Sequence, residues 1–155
     1  MTMKKILSLN LLVMLLFVLT SCSYIKIEYK YMHNKTEIES VQIVEAYYDA
    51  TNSVAHQNVI QQIEDYNTFL DEIEEIYFRF GSIFKSPAGI SKKQIAVKIN
   101  YKNGDYEVFD HHVVSRYEAE TDFYDPYCDQ GIYDKKEFLR VLSKYLNYEL
   151  SDVFV

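Results

Sequence analysis

The stretch "QIAVKINYKNGDYEVF", residues 94–109, decides the fold. Ile95, Val97, Ile99 and Tyr101 alternate with less apolar neighbours, the two-residue period of a strand with one buried face. Asn103-Gly104 follows immediately, and Asn-Gly between alternating runs predicts a hairpin, because a type I′ turn requires positive φ at both central residues. "YEVFDHHVVSRYE", residues 106–118, should therefore return antiparallel beside the first run, bending near His111.

Working outward from this hairpin, "IESVQIVEAYYDA" (38–50) is rich in β-branched and aromatic residues, and beyond the loop "TNS" the stretch "HQNVIQQI" (56–63) alternates Val59, Gln61 and Ile63, which predicts a second hairpin. Asp65 then stands in an N-cap position ahead of Tyr66, Phe69, Leu70, Ile73 and Ile76, spaced three or four apart as one helical stripe. A short strand is expected at "YFRFG". Near the end, Asp134 and Glu137 resemble a capping box ahead of Phe138, Leu139, Val141, Leu142, Tyr145 and Leu146, and a helix is predicted from about Lys135 to Asn147. The sum is an α+β fold, an antiparallel sheet of five or six short strands with two amphipathic helices packed on one face.

The N-terminus reads differently. Lys4 and Lys5 precede a run from Ile6 to Leu19 that is apolar apart from Ser8 and Asn10, and small polar residues follow. Spanning a bilayer takes about 20 apolar residues, so this run is too short and has the order of a secretory signal. Leu19, Thr20, Ser21 and Cys22 resemble a bacterial lipobox, in which cleavage precedes a lipid-modified cysteine. That resemblance implies a lipoprotein whose first mature residue is Cys22, held by acyl chains on the extracytoplasmic side of a cell membrane or outer membrane without spanning it. The expected organisation is a signal peptide over 1–21, a lipidated N-terminus and tether over 22–36, and a single α+β domain over 37–150. Within the tether, Ile25, Ile27, Tyr29 and Tyr31 alternate with Lys26, Glu28 and Lys30, a strand if the segment pairs and otherwise a leash.

Loss of residues 1–21 removes two lysines and no acid, leaving 14 basic residues against 23 acidic ones, a net charge of −9. That argues against a nucleic-acid partner and against electrostatic attachment to anionic lipid. With Cys22 alkylated, Cys128 has no partner for an internal disulfide and is expected to serve as a small apolar side chain.

Chemical candidates are sparse. "GSIFKSPAG" (81–89) fails as a phosphate loop, because Phe84 stands where a glycine must let the backbone approach the phosphate. Asp110 and His112 could share a strand face and contribute to a metal or hydrolase site, but too few further ligands accompany them. Asp122, Asp125, Asp129 and Asp134 crowd a turn-rich stretch without the alternate-residue pattern of a calcium loop. Asp71, Glu72, Glu74 and Glu75 crowd the second half of the first helix, against its dipole, which points to a basic partner or to internal cations such as Arg79 or Lys85. Fifteen tyrosines and no tryptophan mark the chain, and Tyr47, Tyr48, Tyr124, Tyr127 and Tyr133 fall beside loops or strand ends where they could form a contact surface. There is no nucleophile elbow, helical zinc motif or cofactor fingerprint. The reading is a non-enzymatic domain, with no cofactor or metal, presenting a tyrosine-rich, acidic surface to a protein, peptide or envelope ligand; the alternatives are a small extracytoplasmic hydrolase or metal-dependent enzyme and a structural envelope protein.

Overall fold

The computed structural model describes residues 28–49, 54–76, 78–80, 93–111, 113–125, 130–132 and 134–146. Leu19, Thr20, Ser21 and Cys22, the expected cleavage and lipidation residues, lie outside these, as do Phe84, Lys85, His112, Tyr127, Cys128, Asp129 and Tyr133. Among the described residues no helix is long and apolar enough to cross a membrane.

The fold is α+β. Six antiparallel strands, β1 (Ile38–Asp49), β2 (Val54–Ile63), β4 (Gln94–Tyr101), β5 (Tyr106–Phe109), β6 (Val114–Glu118) and β7 (Phe123–Asp125), form an open sheet in the order β2-β1-β4-β5-β6-β7. β3 (Phe78–Phe80) and β8 (Gln130–Ile132) pair separately. The helices are α1 (Tyr66–Glu75) and α2 (Lys135–Tyr145). β7 and β8 both fall inside the acidic stretch read as turn-rich: Phe123 and Tyr124 pair with β6 after Asp122, at φ 50°, and Gln130–Ile132 pair with β3.

The Asn103-Gly104 hairpin forms between β4 and β5, with Val97 opposite Phe109 and Asn100 opposite Tyr106. Its turn is not type I′. Gly104 alone has positive φ, at 92°; its N–H donates to the Tyr101 carbonyl (3.0 Å), while the Tyr101 N–H donates to Asp105 O (2.9 Å). That is a type I turn closed by a left-handed glycine bulge, which leaves Asn103 right-handed and frees its side chain to bind Asp105.

One sheet face carries Val41, Ile43, Ile95, Val97, Ile99 and Phe109, all essentially inaccessible, and receives Phe69, Leu70 and Ile73 of α1 and Phe138, Val141 and Leu142 of α2. Both helices start where expected: Asp65 accepts from Thr68 N–H (3.3 Å) and Asp134 from Glu137 N–H (3.0 Å). Glu137 does not complete a capping box; its carboxylate binds Arg140 instead. α2 ends at Tyr145, two residues before the expected boundary.

The segment before β1 belongs to the folded body. Residues 28–31 pair with no strand, yet Tyr29 is buried in the main core with its ring 5.1 Å from Phe109 and 4.8 Å from Tyr31. Two carboxylates of the β4–β5 hairpin fasten this segment. Glu107, fully buried, accepts from the Tyr101 hydroxyl (2.5 Å), Arg116 Nε (3.3 Å) and the Met32 N–H (3.3 Å), and Arg116 Nη2 donates to the Lys30 carbonyl (2.6 Å). Asp105 accepts from the Ala119 N–H (2.7 Å), and its other oxygen lies 2.5 Å from His33 Nε2. Burial raises Glu107 above the ordinary carboxylate range, its bonds from Tyr101 and Arg116 only partly opposing this; at Asp105 burial also pushes upward, but the bonds from Ala119, His33 and Asn103 win and hold it low.

Candidate binding surface

The second face of the sheet carries no helix among the described residues. Its floor is small: Val44, Ala46, Ala96 and Val108, all buried, with Ser115 beside them. Alternation places Tyr48 after Val44 and Ala46, and register places Tyr106, Tyr117 and Tyr124 side by side across β5, β6 and β7. Tyr106 and Tyr117 stack with centroids 4.8 Å apart and planes at 18°. Tyr48 stacks on Tyr124 at 5.6 Å and 25°.

That second stack determines the shape of the face. β1 and β7 are separated by three strands, which in a flat sheet with about 4.8 Å between neighbours would leave their rings far apart. The sheet is therefore curled, bringing the end of β1 toward β7. Gln57 on β2 likewise reaches Tyr106 on β5. Small residues at the floor and tyrosines at the rim make this face a concave surface, and four half-buried rings supply both apolar area and hydroxyl groups. Lys98 reaches over it with Nζ 4.1 Å from the Tyr106 ring centroid, and burial lowers its pKa, so the ammonium is held against an aromatic face rather than fully hydrated. Burial pushes Tyr124 up to about 12, with a hydrogen bond to Ser115 opposing, so its hydroxyl remains a neutral donor at physiological pH.

Of the five tyrosines singled out in sequence, Tyr48 and Tyr124 meet on this face. Tyr47 also packs against the cluster of Val44, Ala46, Ala96 and Val108, and stacks on His56, 4.3 Å away and nearly parallel, with Lys93 at 5.9 Å. Tyr127 and Tyr133 lie outside the described residues. Tyr106, Tyr117 and Lys98 were not singled out, although the period from Ile95 to Tyr101 fixes Lys98 on the face opposite the core, and the hairpin register carries Tyr106 with it.

Asp110 is buried and terminates β5: its Oδ1 accepts from the Val113 N–H (2.8 Å), and its own N–H donates to the Val113 carbonyl (3.1 Å). These bonds shape the β5–β6 turn. Asp122 accepts from the Tyr117 hydroxyl (3.0 Å), Asp125 lies in β7 and Asp134 caps α2. Among the described residues no group of three or more His, Cys, Asp or Glu side chains could hold a metal.

Three of the acids of α1 meet internal cations, Lys35 and Lys144. Lys35 lies 2.6 Å from Glu74 and 3.3 Å from Asp71, and Lys144 binds Glu72, which also accepts from the Tyr145 hydroxyl (3.0 Å). The side chain of Arg79 lies outside the described residues, as does Lys85. Asp71, Glu74 and Glu75 line a cleft of about 850 Å³ together with Glu28, Tyr29, Tyr31 and Lys35. Comparison with protein-family models, curated proteins and solved structures finds no match for this chain.

Proposed function

We propose that this protein is a lipid-anchored extracytoplasmic binding domain that engages a protein, peptide or envelope ligand through the concave tyrosine face of its sheet. The observation that carries this reading is the convergence of Tyr48, Tyr106, Tyr117 and Tyr124 above a floor of small residues on the face away from the helices. Rigid tyrosines provide large contact area at low entropic cost, with hydroxyls to orient a partner. The anchor is the acylated Cys22. Six residues separate it from Tyr29, which is fixed in the core, so a leash of seven residue-to-residue steps reaches at most about 25 Å and the domain stays close to the membrane.

The test has two arms. A photoreactive residue at position 117 in intact cells should give a discrete adduct that the same probe at Glu75, on α1, does not give. No adduct from position 117, or identical adducts from both positions, would remove the tyrosine face as the binding surface. Independently, Cys22→Ala should move the protein from membrane to soluble fractions, and unchanged partitioning would reject the anchor.

A further inference from the structure

We infer that the outer edge of β2 is a self-association surface, on which a second copy of this chain adds its own β2 antiparallel about a twofold axis and continues the sheet across two molecules. The strand sequence is VAHQNVIQQI, ten residues without a lysine, arginine, acid or proline, in a chain of which 25% is charged. No described strand pairs with its outer side. Monomeric sheets ordinarily guard a long edge with charge, proline or a cover. The opposite edge, β7, is only three residues long and carries Asp125. The guard β2 does have is a bulge, since Ile43 faces Gln61 and Val44 faces Val59, leaving Ile60 without a partner and turned toward the main core. Val54 to Val59 remain as an uninterrupted six-residue edge.

Charge decides which partner fits. The surface is acidic overall, so most ways of bringing two copies together oppose carboxylates; β2 against β2 opposes none. Gln61 donates inward to the Tyr145 carbonyl (2.5 Å) and Gln57 reaches Tyr106, which leaves the exposed Asn58 and Gln62 as the edge amides; an amide is both donor and acceptor, so it can pair with an amide of a second copy. An amide row already runs toward this edge: Asn100 Nδ2 donates to Gln42 Oε1 (3.3 Å), and Gln42 Nε2 donates to Gln62 Oε1 (3.0 Å). The Gln62 amide N–H groups find no acceptor among the described residues. Val59, 58% exposed, is one of two large exposed apolar side chains among the described residues. Six paired residues give about six main-chain hydrogen bonds, near the low end of a standard interface, so the dimer is a weak one.

The experiment is sedimentation of the full chain, purified from membranes in detergent, at about 100 μM, where a Kd near 10 μM leaves most chains paired. The wild type should sediment as a dimer. Val59→Lys places two ammonium groups at the shared edge and should raise Kd at least about tenfold, whereas Val59→Thr should remain dimeric; circular dichroism confirms that each variant is folded. Asn58→Lys, exposed and on the same six-residue edge, provides the same reading should Val59→Lys fail to fold. A monomeric wild type at this concentration, whether β2 is bare or covered by another segment of its own chain, overturns the inference. So does a folded lysine variant that associates as the wild type does.

Discussion

Tyr29→Ala separates a leash from a structural segment. A tyrosine in a free leash contributes nothing to folding, whereas Tyr29 is 7% exposed, packs on Phe109 and Tyr31, and has its pKa raised by burial and by the charge of the buried Glu107 beside it. Removing a buried aromatic ring from a packed core costs about 3–5 kcal/mol. Part of that is recoverable, because residues 28–33 can peel away as a unit and expose the hole to water. The partner left behind cannot recover so easily: Glu107 would keep Tyr101 and Arg116 but lose the cover that excludes water from all three. For a domain of this size the expected fall in Tm is roughly 10–20 °C. Differential scanning calorimetry gives the shift, and hydrogen exchange should show the Met32 and Ala119 amides losing protection, since Glu107 and Asp105 hold them. Tyr29→Phe, which keeps the ring, should recover most of the stability. A Tyr29→Ala shift below about 3 °C with unchanged exchange would show that the segment is not part of the core and would remove the short-leash argument.

Glu107→Gln tests the buried carboxylate through pH. Its pKa is raised from an ordinary 4.5, so the stability linked to it is fully present below that value and is lost as pH rises through the folded-state pKa. Urea midpoints should show the wild type losing ground relative to Glu107→Gln as pH rises above 4.5, and a constant difference would contradict the burial argument. Asp105 has the opposite sign: its lowered pKa makes the His33 clasp lose stability as pH falls, so Asp105→Asn should flatten the acid limb of the stability profile. Gly104→Ala places a methyl where φ is 92° and the Ala119 Cβ is 3.3 Å away, and should cost at least about 1 kcal/mol in chemical denaturation. Asp134→Ala removes the α2 cap and should cost about 1 kcal/mol, measured in the same way.

The parts of the fold that sequence discloses are those governed by local rules. Asn103-Gly104, flanked by alternating runs, gave the β4–β5 hairpin, and Asp65 and Asp134 marked both helix starts because a cap needs only its own next turn. The turn type was misread, since Gly104 alone satisfies the need for positive φ. Pairing of β1 with β4 joins residues separated by a helix and two strands, and no local signal specifies it. The candidate surface was half legible for the same reason: loop-edge position picked out Tyr48 and Tyr124, while their contact depends on the curl of the whole sheet. Tyr106, Tyr117 and Lys98 joined them through strand register, which the hairpin alone could have supplied. Tyr29 looked like part of a leash because nothing local specifies where its segment packs; the groups that fasten it, Glu107 and Arg116, lie more than seventy residues away.

Intact-mass measurement of the protein isolated from its native membrane tests the anchored-domain account most directly. The predicted species begins at Cys22 and carries the added mass of a diacylglycerol on its sulfur, with or without a further acyl chain on its amine. A polypeptide with an unmodified amino terminus, or one beginning at any other residue, would contradict it.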